Sequence, residues 1–383
     1  MTFIILLGVL VLISYLFVKS KGGEIPVDEA RDINSRYFGT VLRALLKPAL
    51  ASSWGKAEGS KWRFGKLMMH RKDENVAVYD GNLGTDLSPV PDGIAALVVT
   101  GDLVIADAME IPYDIWCLGN VTVGAKCSLR SVAADGYILI GQGTSVQRWL
   151  DAGTSLYLGD FTNVVAIASA CEKINIGSGF RGGKVFAPLI RTGDGRAVAE
   201  REAFDEAAVS FEVAAKKEDA FSIMHFWNNL RTSGQDVVSE YDAALPDFDM
   251  TQYQWKQAES VYLTGDYWSG PKSVILHDLV CKGSIQISND CVVAGSIHAD
   301  KDLRLGSNTI VTGNIACAHL SMEQKVVVAG SVHVNGDAVL ENGVMIGIKQ
   351  NKDGLAVTGS LRLIGIVCVT GGISAGDTIY TIG

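Results

Sequence analysis

The sequence predicts an all-β chain: a β-solenoid (β-helix) in two arrays, with a single N-terminal transmembrane helix and a helical insertion between the arrays. The first observation behind this is a recurring five-residue phrase: a glycine, a small polar residue, an aliphatic, any residue, then an apolar or small one. It stands as Gly283-Ser284-Ile285-Gln286-Ile287, Gly295-Ser296-Ile297-His298-Ala299, Gly313-Asn314-Ile315-Ala316-Cys317, Gly330-Ser331-Val332-His333-Val334 and Gly359-Ser360-Leu361-Arg362-Leu363. The glycines are 12, 18, 17 and 29 residues apart, close to multiples of six. A six-residue step with alternating side chains is the pattern of a solenoid whose triangular turn takes about 17–18 residues. Composition is the second observation. Charged residues make up 20% of 383, with 42 glycines and 8 prolines, which suits a stack with apolar inward positions and glycine at the corners. One rung cannot bury its apolar face alone, so stacked rungs share a core.

The third observation is the uncharged run Thr2–Val18. At about 1.5 Å per residue it spans roughly 25 Å, enough for a bilayer core once its flanks adapt. No basic region precedes it, and Lys19-Ser20-Lys21-Gly22-Gly23 offers no small-x-small cleavage site, so an anchor is favoured over a cleaved signal. With the positive charges after the span, the N-terminus is expected outside and the bulk of the chain in the cytoplasm. Residues 1–21 form this anchor.

Residues 22–74 read as a basic, partly helical juxtamembrane segment. Over residues 19–72 there are 12 Lys and Arg against 5 Asp and Glu, a net of +7 in a chain of −9. A helix is expected from Val27 to Lys47, ended by Pro48. Its basic residues Arg31, Arg36, Arg43 and Lys47, with Lys19 and Lys21 before it, could rest on anionic lipid. Equally, the helix could dock on the first rungs through Phe38, Val41, Leu42, Leu45 and Leu46. The first array is expected over 75–190. Gly101-Asp102-Leu103-Val104-Ile105 is followed 18 residues later by Gly119-Asn120-Val121-Thr122-Val123, then by looser strands at similar spacing.

The repeat stops over 191–257. Residues 196–250 carry 5 basic and 12 acidic residues, with helical apolar spacing at Phe204, Ala208, Phe211 and Ala215 and a second cluster at Ile223, Phe226, Trp227 and Leu230. This acidic helical insertion either covers an exposed apolar side of the solenoid or docks a protein partner. The second array is expected over 258–383, with Asn351-Lys352-Asp353-Gly354 looped out of a corner. The seven cysteines show no C-x-x-C spacing and mostly lie in apolar runs. They read as small core residues of a reducing compartment.

The phrases Val293-Ala294-Gly295-Ser296-Ile297, Val311-Thr312-Gly313-Asn314-Ile315 and Val328-Ala329-Gly330-Ser331-Val332 resemble those of the bactofilins, polymer-forming bacterial cytoskeletal proteins. The resemblance covers about 125 residues of the second array and the first array weakly. It implies a right-handed β-helix that polymerises end to end without a nucleotide or other cofactor, often at the bacterial inner membrane, as a scaffold. Bactofilins are usually one uninterrupted array with tails on both sides, whereas this chain carries an insertion and stops on a strand.

An end rung exposes unpaired N–H and C=O groups, which natural arrays cap or use. The final run, Asp377 to Ile382, is β-prone with one charge, so Ile379, Tyr380 and Ile382 are expected at an open, self-associating end. A sideways packing of Tyr380 within its own molecule is the alternative. Catalysis has little support. His298 and His333 share one place in the phrase two rungs apart, about 10 Å at strand spacing, too far to share a proton or a metal. Nucleotide-binding, zinc-protease and nucleophile-elbow motifs are absent as written. The expected function is therefore a membrane-anchored scaffold with no cofactor, metal or nucleic-acid partner. A non-polymerising adaptor binding through the acidic insertion is the alternative, and a hexapeptide-repeat acyltransferase the enzymatic one.

Overall fold

The computed structural model describes residues 36–52, 54, 60–69, 72–193, 254–256, 261–347 and 354–383. The anchor run with Lys19, Lys21 and Arg31, and the bulk of the insertion (residues 194–253), lie outside the described residues. Among those described, no helix is long and apolar enough to cross a membrane. What is described is a β-solenoid with one helix, Tyr37–Ala51.

Each array is a parallel stack of short strands that wraps three faces. One column of the first array runs Leu103–Val121–Ile138–Leu156–Ile174–Ile190 by direct register. One column of the second runs Leu279–Ile297–Ile315–Val332–Leu355–Ile373. All twelve residues are nearly fully buried, whereas phrase positions of opposite parity such as Gln286, His298, His333 and Arg362 are exposed. The two-residue alternation of the sequence is thus the in/out alternation of the rungs.

The corners explain the phrase more fully than backbone freedom does. Its small polar residue accepts a hydrogen bond from the backbone one rung on. Asn120 N–H donates to Asp102 Oδ1 (2.8 Å) and Tyr137 N–H to Asn120 Oδ1 (3.1 Å). In the second array Ser284 N–H donates to Asp266, Ser296 N–H to Asp278 and Ser331 N–H to Asn314. The phrase glycine sits against that acceptor. A Cβ on Gly119, Gly283, Gly313 or Gly330 would fall under 3 Å from the polar side chain or backbone of the previous rung. Glycine is needed there for close approach between rungs, not for a left-handed φ. A second corner does use the left-handed region, and mostly without glycine: Ala108, Lys126 and Phe161 in the first array, Lys272, Asp290, Asn308 and Lys325 in the second, all at φ of 54–62°. Glycine takes that corner only in some rungs, at Gly143, Gly179 and Gly343, so no regular glycine marks it in the sequence.

Gly313→Ala should therefore cost about 1–3 kcal/mol, the usual range for overpacking. Gly265→Ala is the control, since its Cβ would meet no described residue, and should change stability by about 0.5 kcal/mol or less. Urea unfolding of the two variants checks the difference.

The arrays meet at their last turns. The closing strand of the first, Arg181–Thr192, lies antiparallel to the closing strand of the second, Val367–Ile382, with register Arg181↔Tyr380, Gly182↔Ile379, Val185↔Ile373 and Ile190↔Val369. One hydrophobic cluster runs from Ala77 through this seam to Ile379. Chain direction reverses there, so the two starting turns lie at opposite ends of the stack. A threonine from each array clasps the other: Thr381 Oγ1 donates to Gly177 O (2.8 Å) and accepts from Phe180 N–H, while Thr192 Oγ1 donates to Gly365 O (3.0 Å) and accepts from Val367 N–H.

This corrects the expectation of an open end at Ile379, Tyr380 and Ile382. Ile379 is core, and Tyr380 faces Arg181, whose guanidinium lies 5.9 Å from the ring centroid. Ile382 alone of the three is exposed. The sideways packing of Tyr380 inside its own molecule is what the structure contains.

Candidate assembly interface

Three surfaces were candidates for contact with lipid or with other copies: the basic helix, the chain terminus and the ends of the stack. The helix Tyr37–Ala51 docks on the first array. Leu42, Leu46 and Ala49 pack on the outward side of Val76, Val78, Ala96, Val98, Trp116, Ala133 and Trp149. Pro48 does not end it. The helix runs one turn further because Ala49 is held in the interface, and Arg63 Nη1 donates to the terminal carbonyls of Ala49 (3.2 Å) and Ser52 (3.0 Å).

Arg36 and Arg43, expected on anionic lipid, are paired with carboxylates of the first array. Arg36 grips Asp151 in a fork, Nε to Oδ1 at 2.7 Å and Nη2 to Oδ2 at 2.8 Å. Arg43 reaches the same carboxylate and also Asp135 (2.7 Å). Ser169 Oγ donates to Asp151 Oδ1 (2.8 Å), and the Asp151 side chain is 1% exposed. The bond to Asp151 raises the Arg36 pKa above its ordinary value, against an opposing effect of burial. Gly39, between the two arginines on this face, allows the approach, because a Cβ there would overlap Asp151. Lys47 remains exposed.

Six of the seven cysteines are buried, and Cys171, against Arg36, is exposed. Burial pushes the Cys117 and Cys317 thiols up to about 12. His298 and His333 lie on one outward column with Ala316 between them. His298 pairs with Asp300 (3.1 Å), and His319 Nδ1 accepts from Asp337 N–H in the corner ladder. The fold does not bring these histidines to one point. Among the described residues, no group of three or more His, Cys, Asp or Glu is placed to hold a metal ion.

The two ends differ. At the start of the first array, Trp62–Met69 folds back antiparallel on Lys72–Tyr79, and Trp62 packs on Phe64 and Tyr79. The second array begins with Gln254–Lys256, Val261–Leu263 and Tyr267–Ser269, which pair forward with the next turn. Val261 N–H donates to Asp278 O, Leu263 O accepts from Lys282 N–H, and Tyr267 N–H donates to Ser284 O. By strand alternation the main-chain N–H and C=O of Tyr262 and Trp268 point off the stack. No described strand pairs with that edge. A Cβ on Gly265 or Gly270 would meet no described residue, where inner glycines meet the rung below. Tyr262 and Trp268 are 77% and 62% exposed.

Among the described residues, the second array leaves an edge unpaired at its starting turn, whereas the Ile379 end expected to be open pairs with the first array. The available signal was the aromatic pair Tyr262 and Trp268 at outward phrase positions, where later rungs carry Val280, His298, Gln286 and Arg304. Comparison with known proteins finds no family model, no curated protein and no solved structure that matches this chain.

Proposed function

We propose that the chain is a membrane-tethered scaffold that self-assembles by stacking solenoid ends. One observation carries the reading: the starting turn of the second array offers the edge groups of Tyr262 and Trp268 and a glycine surface that no described residue covers. A second copy continues both the ladder and the core, as each rung does for the next. Two copies joined at these ends form a closed pair. Longer assemblies also use the Trp62–Met69 edge, where Phe64 and Met68 are exposed.

The tether is the uncharged run Thr2–Val18, with the N-terminus outside and the solenoid at the cytoplasmic face of a bacterial inner membrane. The resemblance to bactofilins and the Lys19 and Lys21 flank support it. Arg36, which precedes the docked helix and is held by Asp151, stands 18 residues after Val18, so the solenoid flank stays within roughly 60 Å of the bilayer even on a fully extended link.

Tyr262→Pro with Trp268→Pro tests the interface, because proline removes the two edge donors without removing a bond inside the stack. The full chain in mild detergent should sediment as assemblies visible by negative stain, and the double variant should not, at an unchanged unfolding midpoint. Wild-type protein that stays monomeric at tens of micromolar would remove the scaffold reading and leave the adaptor.

A further inference from the structure

One stripe of the second array is apolar where alternation points it outward. Register aligns Val274, Val292, Ile310, Val327, Met345 and Cys368 in a single column, and carries it back to Trp255 in the starting turn. The opposite-parity column, Ile275, Val293, Val311, Val328, Ile346 and Val369, belongs to the shared interior cluster. Val274 and Val292 instead join Ala294 and Leu276 in a separate outer cluster. Outward residues on the other faces of this array, such as Gln286, His298, Arg304 and His333, are exposed. Val274, Val292, Ile310 and Val327 are 0–2% exposed. The described helix does not explain this, since its contacts are with the first array.

We propose that residues 194–253 of the same chain lie along this stripe and cover it, as the helix Tyr37–Ala51 covers the outward face of the first array. The ends of the segment locate it. Gly193 leaves the seam two residues after Arg191, which pairs with Cys368 at one end of the stripe. Gln254 re-enters on the starting strand that pairs with Val274 at the other end. The reversal of chain direction at the seam obliges the chain to travel the full height of the second array, and its interior is filled. Seven strands at about 4.8 Å spacing make that height roughly 30 Å, well within reach of the 60 residues of 194–253. The other segment near the stripe, residues 348–353, is too short to cover it. The chemistry also fits: Phe204, Phe211, Ile223, Phe226, Trp227 and Leu230 supply apolar side chains at helical spacing, and the acidic residues between them supply a solvated side.

The test is thiol protection in the full chain, mapped by site. Val292→Cys in a Cys171→Ser background places a thiol in mid-stripe, and maleimide labelling at neutral pH should be slow. Replacing residues 194–253 by a Gly/Ser linker of equal length, whose r.m.s. span of about 40 Å still bridges the stripe, should raise the labelling rate at least tenfold while far-UV circular dichroism stays β. The intact chain with Phe211→Asp and Trp227→Asp should show a smaller increase in the same direction, which guards against a linker variant that fails to fold. Fast labelling in the intact chain overturns the proposal. So does protection that persists in a folded linker variant, including protection lost only on dilution, which would assign the stripe to a second copy. None of these outcomes depends on whether the solenoid ends assemble.

Discussion

Ile379→Lys should cost the protein about 3–5 kcal/mol of stability, an effect on folding rather than on assembly. Ile379 is fully buried, with Leu361 as its neighbour in the rung before and Gly182 across the seam. A lysine there must lose its charge or force water into the last turn of both arrays. Ile382→Lys, three residues on and 48% exposed, should change stability by no more than about 0.5 kcal/mol. Tyr380→Lys lies between, because it exchanges a ring facing the Arg181 guanidinium for a like charge. Denaturant unfolding of the three variants at one concentration, below any assembly threshold, separates them. Equal stability of Ile379→Lys and Ile382→Lys would mean that the last turns do not meet as described. The contrast guards against a misreading, since a charged Ile379 that abolished sedimenting material by unfolding the chain would imitate a broken assembly contact.

The seam was the part of the fold that sequence reading could not reach. Stacking within an array repeats a residue pattern every 17–18 positions, as the corner bonds between Asp102, Asn120 and Tyr137 do, and a repeated pattern is visible in one sequence. The seam occurs once. Its register pairs Gly182 with Ile379 and Ile190 with Val369, residues that each continue the ordinary inward pattern of their own array. Nothing in either closing strand distinguishes a partner in the same molecule from one in another copy. The Thr192 and Thr381 clasps read as ordinary β-branched strand residues until their partners are known. The basic helix failed differently. Its apolar face was legible at Leu42 and Leu46, but the use of Arg36 and Arg43 depends on Asp151, more than a hundred residues away in an unremarkable strand. Charge composition near a hydrophobic run suggests lipid, and only the buried carboxylate shows where these two guanidiniums go.

Asp151→Ala is the second variant expected to have a large effect, and it bears on how the helix Tyr37–Ala51 is held to the solenoid. The carboxylate is the common partner of Arg36, Arg43 and Ser169. Removing one member of a fully buried ion pair costs about 3–5 kcal/mol, because the remaining charge has lost its solvent. Here the two arginine side chains keep 27% and 20% exposure and recover some hydration, so the loss should be about 2–3 kcal/mol. It should fall on the helix rather than on the stack, because the ladder bonds of Leu150–Ala152 to the neighbouring turns are backbone bonds. Undocking uncovers Trp116, Trp149 and Ala133. Tryptophan emission should therefore shift to the red, and protease should cut in the 52–61 connection well before the solenoid. Asp151→Asn keeps an acceptor without the charge and should be intermediate. Unchanged emission and unchanged proteolysis in Asp151→Ala would mean that the apolar contacts of Leu42, Leu46 and Ala49 hold the helix by themselves. The arginine fork would then orient the helix without anchoring it, and a pull on the N-terminal segment would be borne by packing alone.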